Sequence, residues 1–137
     1  MVSGKGVSIQ GDIVKKKFKS DKPYQNELYV YKMGLSYIPK LISNDDEKRE
    51  IVISKECCIT LNKIPINERS RYYPKIKELY RRFKKDTGNY HYDMLPKNII
   101  LNENTGKLII IDFEFIGKDN KKLGIGNEAF LRKIKVR

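Results

Sequence analysis

The chain has no tryptophan, a single histidine and only two cysteines, and those two are neighbours, Cys57 and Cys58. One imidazole beside an adjacent thiol pair does not supply the spaced ligands of a structural zinc site. Neighbouring cysteines bridge each other poorly, so two reduced thiols in a half-buried strand are expected rather than a disulfide framework. No apolar run approaches the roughly 20 residues that cross a bilayer, and no membrane partner is expected. Met1 to Gly6 carry no apolar stretch of a secretory kind, which predicts an intracellular, cytoplasmic protein, in the host cytoplasm if the source is viral. Neither a repeat nor a low-complexity linker interrupts the 137 residues, a length that suits one domain with one modest core.

What the chain has in excess is positive charge: 29 Lys and Arg against 17 Asp and Glu, a formal net charge of +12. Such a field attracts polyanions, so nucleic acid, nucleotide phosphates and acidic proteins are candidate partners. The basic residues are dispersed, with denser patches at Lys15-Lys16-Lys17, from Arg81 to Lys85 and from Lys118 to Lys122. Dispersed charge also describes an ordinary solvated surface. With 39% hydrophobic and 34% charged residues, the composition is that of a soluble globular protein.

Residues Val7 to Ile9 and Ile13 to Phe18 read as short strands around a Gln10-Gly11-Asp12 turn. Asp21 and Pro23 open a helix with Leu28 and Tyr31 inward, closed by Gly34. Pro39 breaks the chain before Leu41-Ile42; Ser43 to Asp46 read as a turn and Ile51 to Ile53 as a strand. A second helix is expected from Tyr73 to Lys85. Pro74 suits its first turn, Ile76, Leu79, Tyr80 and Phe83 recur on one face, and Asp86 to Asn89 end it. Ile99 to Leu101 and Leu108 to Ile111 are apolar runs joined by a hairpin turn at Asn102 to Lys107. This mixture of strands and helices predicts the α+β class.

The hairpin has a chemical consequence. Asn98 stands just before its first strand and Asp112 just after its second, so antiparallel pairing brings amide and carboxylate within about 5 Å. Asp93 lies a short step upstream, tied down by the preceding helix and Pro96. Two carboxylates and an amide at one mouth make a hard, oxygen-rich site suited to magnesium.

These residues carry a resemblance. His91-Tyr92-Asp93-Met94-Leu95-Pro96-Lys97-Asn98 resembles the protein-kinase catalytic loop H-x-D-x-x-x-x-N, and Asp112-Phe113-Glu114 resembles the D-F-G that follows it. Aminoglycoside phosphotransferases and choline kinases have a similar Asp-Phe-Glu after an apolar strand. Small size and basic surface are similar to the compact RIO-like and tRNA-modification-complex kinases. The resemblance implies a kinase-like α+β fold: a reduced amino-terminal sheet lobe with one helix (1–58), and a truncated helical lobe (59–137) carrying the catalytic hairpin. It implies ATP and Mg2+ as cofactors, with Asn98 and Asp112 holding the metal on the phosphates. Asp93 would accept or orient the acceptor's hydroxyl proton, and His91 would brace the loop against the Asp-Phe-Glu turn. Ile13-Val14-Lys15-Lys16 is similar to the V-A-I-K strand, making Lys16 the candidate phosphate-gripping catalytic lysine. Lys15 stays open, because a one-residue slip reverses which side chain faces the site. Glu27 would pair with that lysine, and Glu56 falls where the hinge would meet adenine through its backbone.

The pattern is also broken. The stretch before Lys16 holds one strand and a turn, with Gly4-Lys5-Gly6-Val7 as a remnant of a phosphate-covering loop. No A-P-E follows Glu114, and Leu95 stands where protein kinases carry a lysine, with Lys97 left to reach inward or stay solvated. The function implied is an ATP- and Mg-dependent phosphotransferase acting on serine or threonine of a protein, alone or completed by a partner protein. Alternatives are a small-molecule kinase, a pseudokinase or decoy module, and a nuclease using Asp93, Asp112 and Glu114. The nuclease lacks the lysine such sites want at position 116, which is Ile116.

Overall fold

The structure, a computed structural model, describes residues 5–119. Gly4 and the Lys121-Lys122 end of the third basic patch lie outside them.

Strands β1 (Lys5–Gln10) and β2 (Ile13–Phe18) form an antiparallel hairpin whose turn needs the left-handed Gly11, φ +61°. Helix α1 (Asp21–Tyr31) follows, with Asp21 in its first turn. Its buried positions Tyr24, Glu27, Leu28 and Tyr31 repeat at three- and four-residue steps, the stripe of a helix lying on a sheet. Strands β3 (Leu41–Asp45) and β4 (Glu50–Ser54) complete a four-stranded sheet of order β1-β2-β4-β3.

Ser43, Asn44 and Asp45 therefore belong to a strand, not to the turn their composition predicts. Because β3 is an edge strand with one neighbour, Ile42 to Asn44 stay exposed and polar side chains cost little there.

Beyond Ser54 the chain runs through β5 (Ile59–Thr60) and the one-turn helix α2 (Ile66–Arg69) into α3 (Tyr73–Thr87). Pro74 sits in the first turn of α3, and Ile76, Leu79, Tyr80 and Phe83 are buried on one face, as the spacing predicts. Gly88 caps the helix in the left-handed region at φ +73°, its N–H returning to the Lys84 carbonyl. Four short strands follow: β6 (Tyr90–His91), β7 (Ile99–Leu101), β8 (Leu108–Ile110) and β9 (Ile116–Gly117). They pair as β5-β7-β8 and β6-β9, all antiparallel.

The α+β class expected from the sequence is what the molecule adopts: antiparallel sheets and few helices. One apolar cluster unites its two halves, running from Phe18, Tyr24 and Ile51 to Ile76, Ile110 and Phe113. The rings of Phe83 and Phe113 stack at its centre, 5.5 Å between centroids and 11° apart in plane. Cys57 and Cys58 depart from expectation. They are exposed in the link between β4 and β5, outside any strand, and their sulfurs are bonded to each other. Among the described residues, no helix is long and apolar enough to cross a membrane.

Candidate active site

A cavity of ≈ 280 Å3 opens between the four-stranded sheet and the β7-β8 hairpin. Val7 and Ile9 of β1 and Val14 of β2 line one side, and Ile100 and Ile111 of the hairpin line the other. The register explains the first wall: Val7 pairs with Lys16 and Ile9 with Val14, so all four side chains share one face of the sheet. Val7 and Ile9 are 54% and 61% exposed, an apolar surface that the described residues leave uncovered. Ser54, Lys55 and Glu56 close the edge, where the Ser54 hydroxyl donates to Glu56 Oε2 at 2.8 Å. The N–H groups of Ser54, Lys55 and Cys58 are taken by Lys40, Asp12 and Leu101 carbonyls.

Two polar side chains, Lys16 and Asp112, reach the same cavity. Lys16, not Lys15, turns inward: its ammonium donates to Glu27 Oε1 at 3.1 Å, with both side chains almost fully buried. A buried ion pair is tolerable only when further hydrogen bonds hold it, and Glu27 Oε1 also accepts the Phe113 N–H at 2.7 Å. Glu27 Oε2 has no partner among the described residues. Lys15 lies on the other face, 3.9 Å from Glu50 and partly exposed. The Tyr31 ring lies 5.7 Å from the Lys16 ammonium. Burial first, then the negative field of Glu27, Asp112 and Glu56, pushes its hydroxyl well above the ordinary tyrosine range. Tyr31 therefore stays protonated, and its hydroxyl lies 3.5 Å from the Lys16 ammonium.

The hairpin positions the rest. Its ladder runs Ile99 to Ile110 and Leu101 to Leu108, and the Ile111 N–H donates to the Asn98 carbonyl at 3.0 Å. Asn98 therefore faces Ile111, and Asp112 is offset from it by one residue along the ladder instead of directly opposite. The register alone sets this offset, since Ile99 pairs with Ile110; the Ile111 carbonyl accepts from His91 Nε2 at 3.1 Å. Asp112 then turns into the left-handed region at φ +69°, an uncommon backbone for a residue other than glycine but one that aspartate adopts more readily than most. Asn98 donates its amide to the Asp93 carbonyl at 2.8 Å and to Asp93 Oδ2 at 3.1 Å. With Nδ2 spent in this way, Oδ1 is the Asn98 atom left for a cation. Lys97 reaches Asp93 Oδ2 at 3.9 Å while remaining 57% exposed.

His91 braces this loop as expected. The Asp93 N–H donates to its Nδ1 at 3.1 Å, so the ring proton must sit on Nε2, which donates to Ile111. The Asp93 bond requires the neutral ring, because a protonated Nδ1 has no lone pair to accept it. Burial lowers the His91 pKa below its usual value, against the opposing pull of the Ile111 carbonyl and of Asp112, Asp93 and Glu27.

Of the residues singled out in the sequence, Lys16, Glu56 and Asp112 line one cavity, Glu27 clamps Lys16, and Asp93 and Asn98 are hydrogen-bonded neighbours. Tyr31 was read only as core, since a helical tyrosine gives no local sign of facing a lysine. Tyr92 was passed over altogether. Among the described residues, no three His, Cys, Asp or Glu side chains are gathered to hold a metal.

No family model and no curated protein matches this chain. Among solved structures, the complex of Rv3197 with erythromycin from Mycobacterium tuberculosis shares the fold, with a TM-score of 0.54 and 18% sequence identity. The similarity covers 69% of this chain and 25% of Rv3197, so the chain spans a quarter of its neighbour's length.

Proposed function

We propose that the protein is a kinase-like, ATP- and Mg2+-dependent phosphotransferase, with the cavity as its nucleotide site. The observation that carries this reading is the buried Lys16–Glu27 pair at the wall of an apolar cleft that Asp112 also enters. An apolar slot between Val7 and Val14 on one side and Ile100 and Ile111 on the other suits a purine ring, with Glu56 lining its edge. Lys16 is a fixed cation for the phosphates, since Glu27 and the Phe113 N–H leave it one orientation.

The donor set fits magnesium. Asn98 Oδ1 and the Asp112 carboxylate are two hard oxygens, and magnesium takes one or two protein carboxylates with the remainder from phosphate and water. When bound, the metal supplies the charge neutralisation on which phosphoryl transfer largely depends. Asp93 orients the acceptor hydroxyl and receives its proton, with its own carboxylate steered by Asn98 and Lys97. The acceptor proposed is a serine or threonine of a protein. A small-molecule acceptor is the second reading, favoured by the Asp112-Phe113-Glu114 resemblance and by a neighbour solved with erythromycin.

Calorimetry with ATP, with and without magnesium, tests the nucleotide site. Magnesium-dependent binding is expected, and its absence overturns the reading. Labelled ATP should transfer phosphate to the protein itself or to a basic test protein, and Asp112→Ala should abolish the transfer. Binding without any transfer would leave a pseudokinase.

A further inference from the structure

We infer that Tyr92 is a positioning residue. With Gly117 it latches the segment Phe115–Asp119 onto the loop that carries Asp93, so that the catalytic half of the site is assembled without any added group. This rests on the phosphotransferase reading.

Three contacts converge on this one residue. Its N–H donates to the Phe115 carbonyl at 2.9 Å. The hydroxyl donates to the Asp119 carbonyl at 2.9 Å and accepts the Asp119 N–H at 3.1 Å, engaging both polar groups of one peptide residue. Between these anchors the ring lies directly on Gly117, where an added Cβ would fall 2.9 Å from ring carbons, closer than packing allows. Gly117 is not in the left-handed region, so what demands glycine there is the ring and not the backbone.

The segment needs such a latch. Among the described residues its only regular pairing is the two-residue β6-β9 ladder, Tyr90 with Gly117 and His91 with Ile116, which is too short to be stable alone. Upstream it is held by Glu27 on the Phe113 N–H and by Asn26, whose amide donates to the Glu114 carbonyl at 3.0 Å. Tyr92 is the tie at its far end. Because Tyr92 directly precedes Asp93, the same latch fixes the main chain on the side of Asp93 opposite Asn98.

Tyr92, Gly117 and Asp119 do not line the nucleotide cavity. The latch therefore acts on the placement of Asp93 and leaves nucleotide binding alone. In Tyr92→Phe the ring over Gly117 is kept and only the hydroxyl is lost. Expected results are a kcat lower by roughly 10- to 100-fold, an unchanged affinity for ATP with magnesium, and an Asp119 amide that exchanges with deuterium about 5- to 10-fold faster. Gly117→Ala should reproduce the loss of kcat through the collision, with thermal melting confirming that both variants remain folded. A Tyr92→Phe protein that keeps full kcat overturns the positioning role, and an unaltered Asp119 exchange rate overturns the latch. A fall in ATP affinity equal to that in kcat would show a general loosening of the fold and also overturns it. Absence of transfer by the wild type overturns the phosphotransferase reading itself, a distinct result from transfer that survives the substitution.

Discussion

Lys15 and Lys16 are neighbours on one strand that face opposite sides of the sheet, so truncating each in turn measures what burial does to the same side chain. In Lys16→Met the stem is kept and the ammonium removed, which leaves the Glu27 carboxylate fully buried without its cation. Removing one partner of a buried pair costs about 3–5 kcal/mol, because the remaining charge has neither water nor counter-ion. The Phe113 N–H on Glu27 persists and places the expected cost at the lower end. Lys15→Met breaks a long 3.9 Å pair with Glu50 at a partly exposed, solvent-screened site, and such pairs contribute about 0–1 kcal/mol. Urea unfolding followed by far-ultraviolet circular dichroism reads both. With an m-value of about 2 kcal/mol/M, the midpoint should fall by about 1.5–2.5 M for Lys16→Met and by less than about 0.5 M for Lys15→Met. The double variant Lys16→Met with Glu27→Gln should recover part of the loss, since the amide oxygen still accepts the Phe113 N–H and no charge stays buried. Equal costs for the two lysines, or a double variant that is the plain sum of its singles, would refute the buried pair.

Three further outcomes follow from the same geometry. Asp93→Asn should lower phosphoryl transfer by about 10²- to 10⁴-fold, while calorimetry finds ATP binding unchanged. The pKa of His91 is lower folded than unfolded, so its contribution is complete above pH 6.5 and is lost as pH falls below that value, by at most about 1.4 kcal/mol per unit. Urea midpoints at pH 7.5 and 5.5 should accordingly differ more in the wild type than in His91→Gln. Phe113→Ala should destabilise the protein by about 3–5 kcal/mol in the same unfolding assay, because the ring is fully buried against Phe83, Tyr31 and His91.

The parts of this molecule that can be read from its residues are those whose signal is local. Helix α3 declares itself through Pro74, a buried stripe and Gly88. The β7-β8 hairpin does so through two isoleucine-rich runs and a polar turn between them. With the hairpin come Asn98 and Asp112, since strand pairing alone carries them to the same end, although the offset of one residue depends on the register that sets Ile99 against Ile110. The inward lysine was legible only as a choice of two. Deciding between Lys15 and Lys16 takes the pairing of β2 with β1 and β4, a tertiary fact. Polar Ser43 to Asp45 resemble a turn because an edge strand asks nothing apolar of its exposed face. Tyr92 and Gly117 carry no local mark at all, as their contact joins residues that only the completed fold makes neighbours. The exposed Cys57-Cys58 link was misplaced for a related reason: the short run to Ile59 looks like a strand until β5 is seen to begin at Ile59.

The left-handed backbone of Asp112 also limits what selection can do at that position. A replacement must accept a positive φ and, on the phosphotransferase reading, must still present a short carboxylate at the hairpin's exit. Glycine satisfies the first demand alone. Glutamate keeps the charge but, with its longer side chain, is poorly suited to the backbone. Asparagine accepts the conformation and gives up the charge. Among the twenty amino acids aspartate alone meets both demands, so drift at residue 112 has almost nowhere to go, whereas Ile111 beside it can exchange with several aliphatic residues.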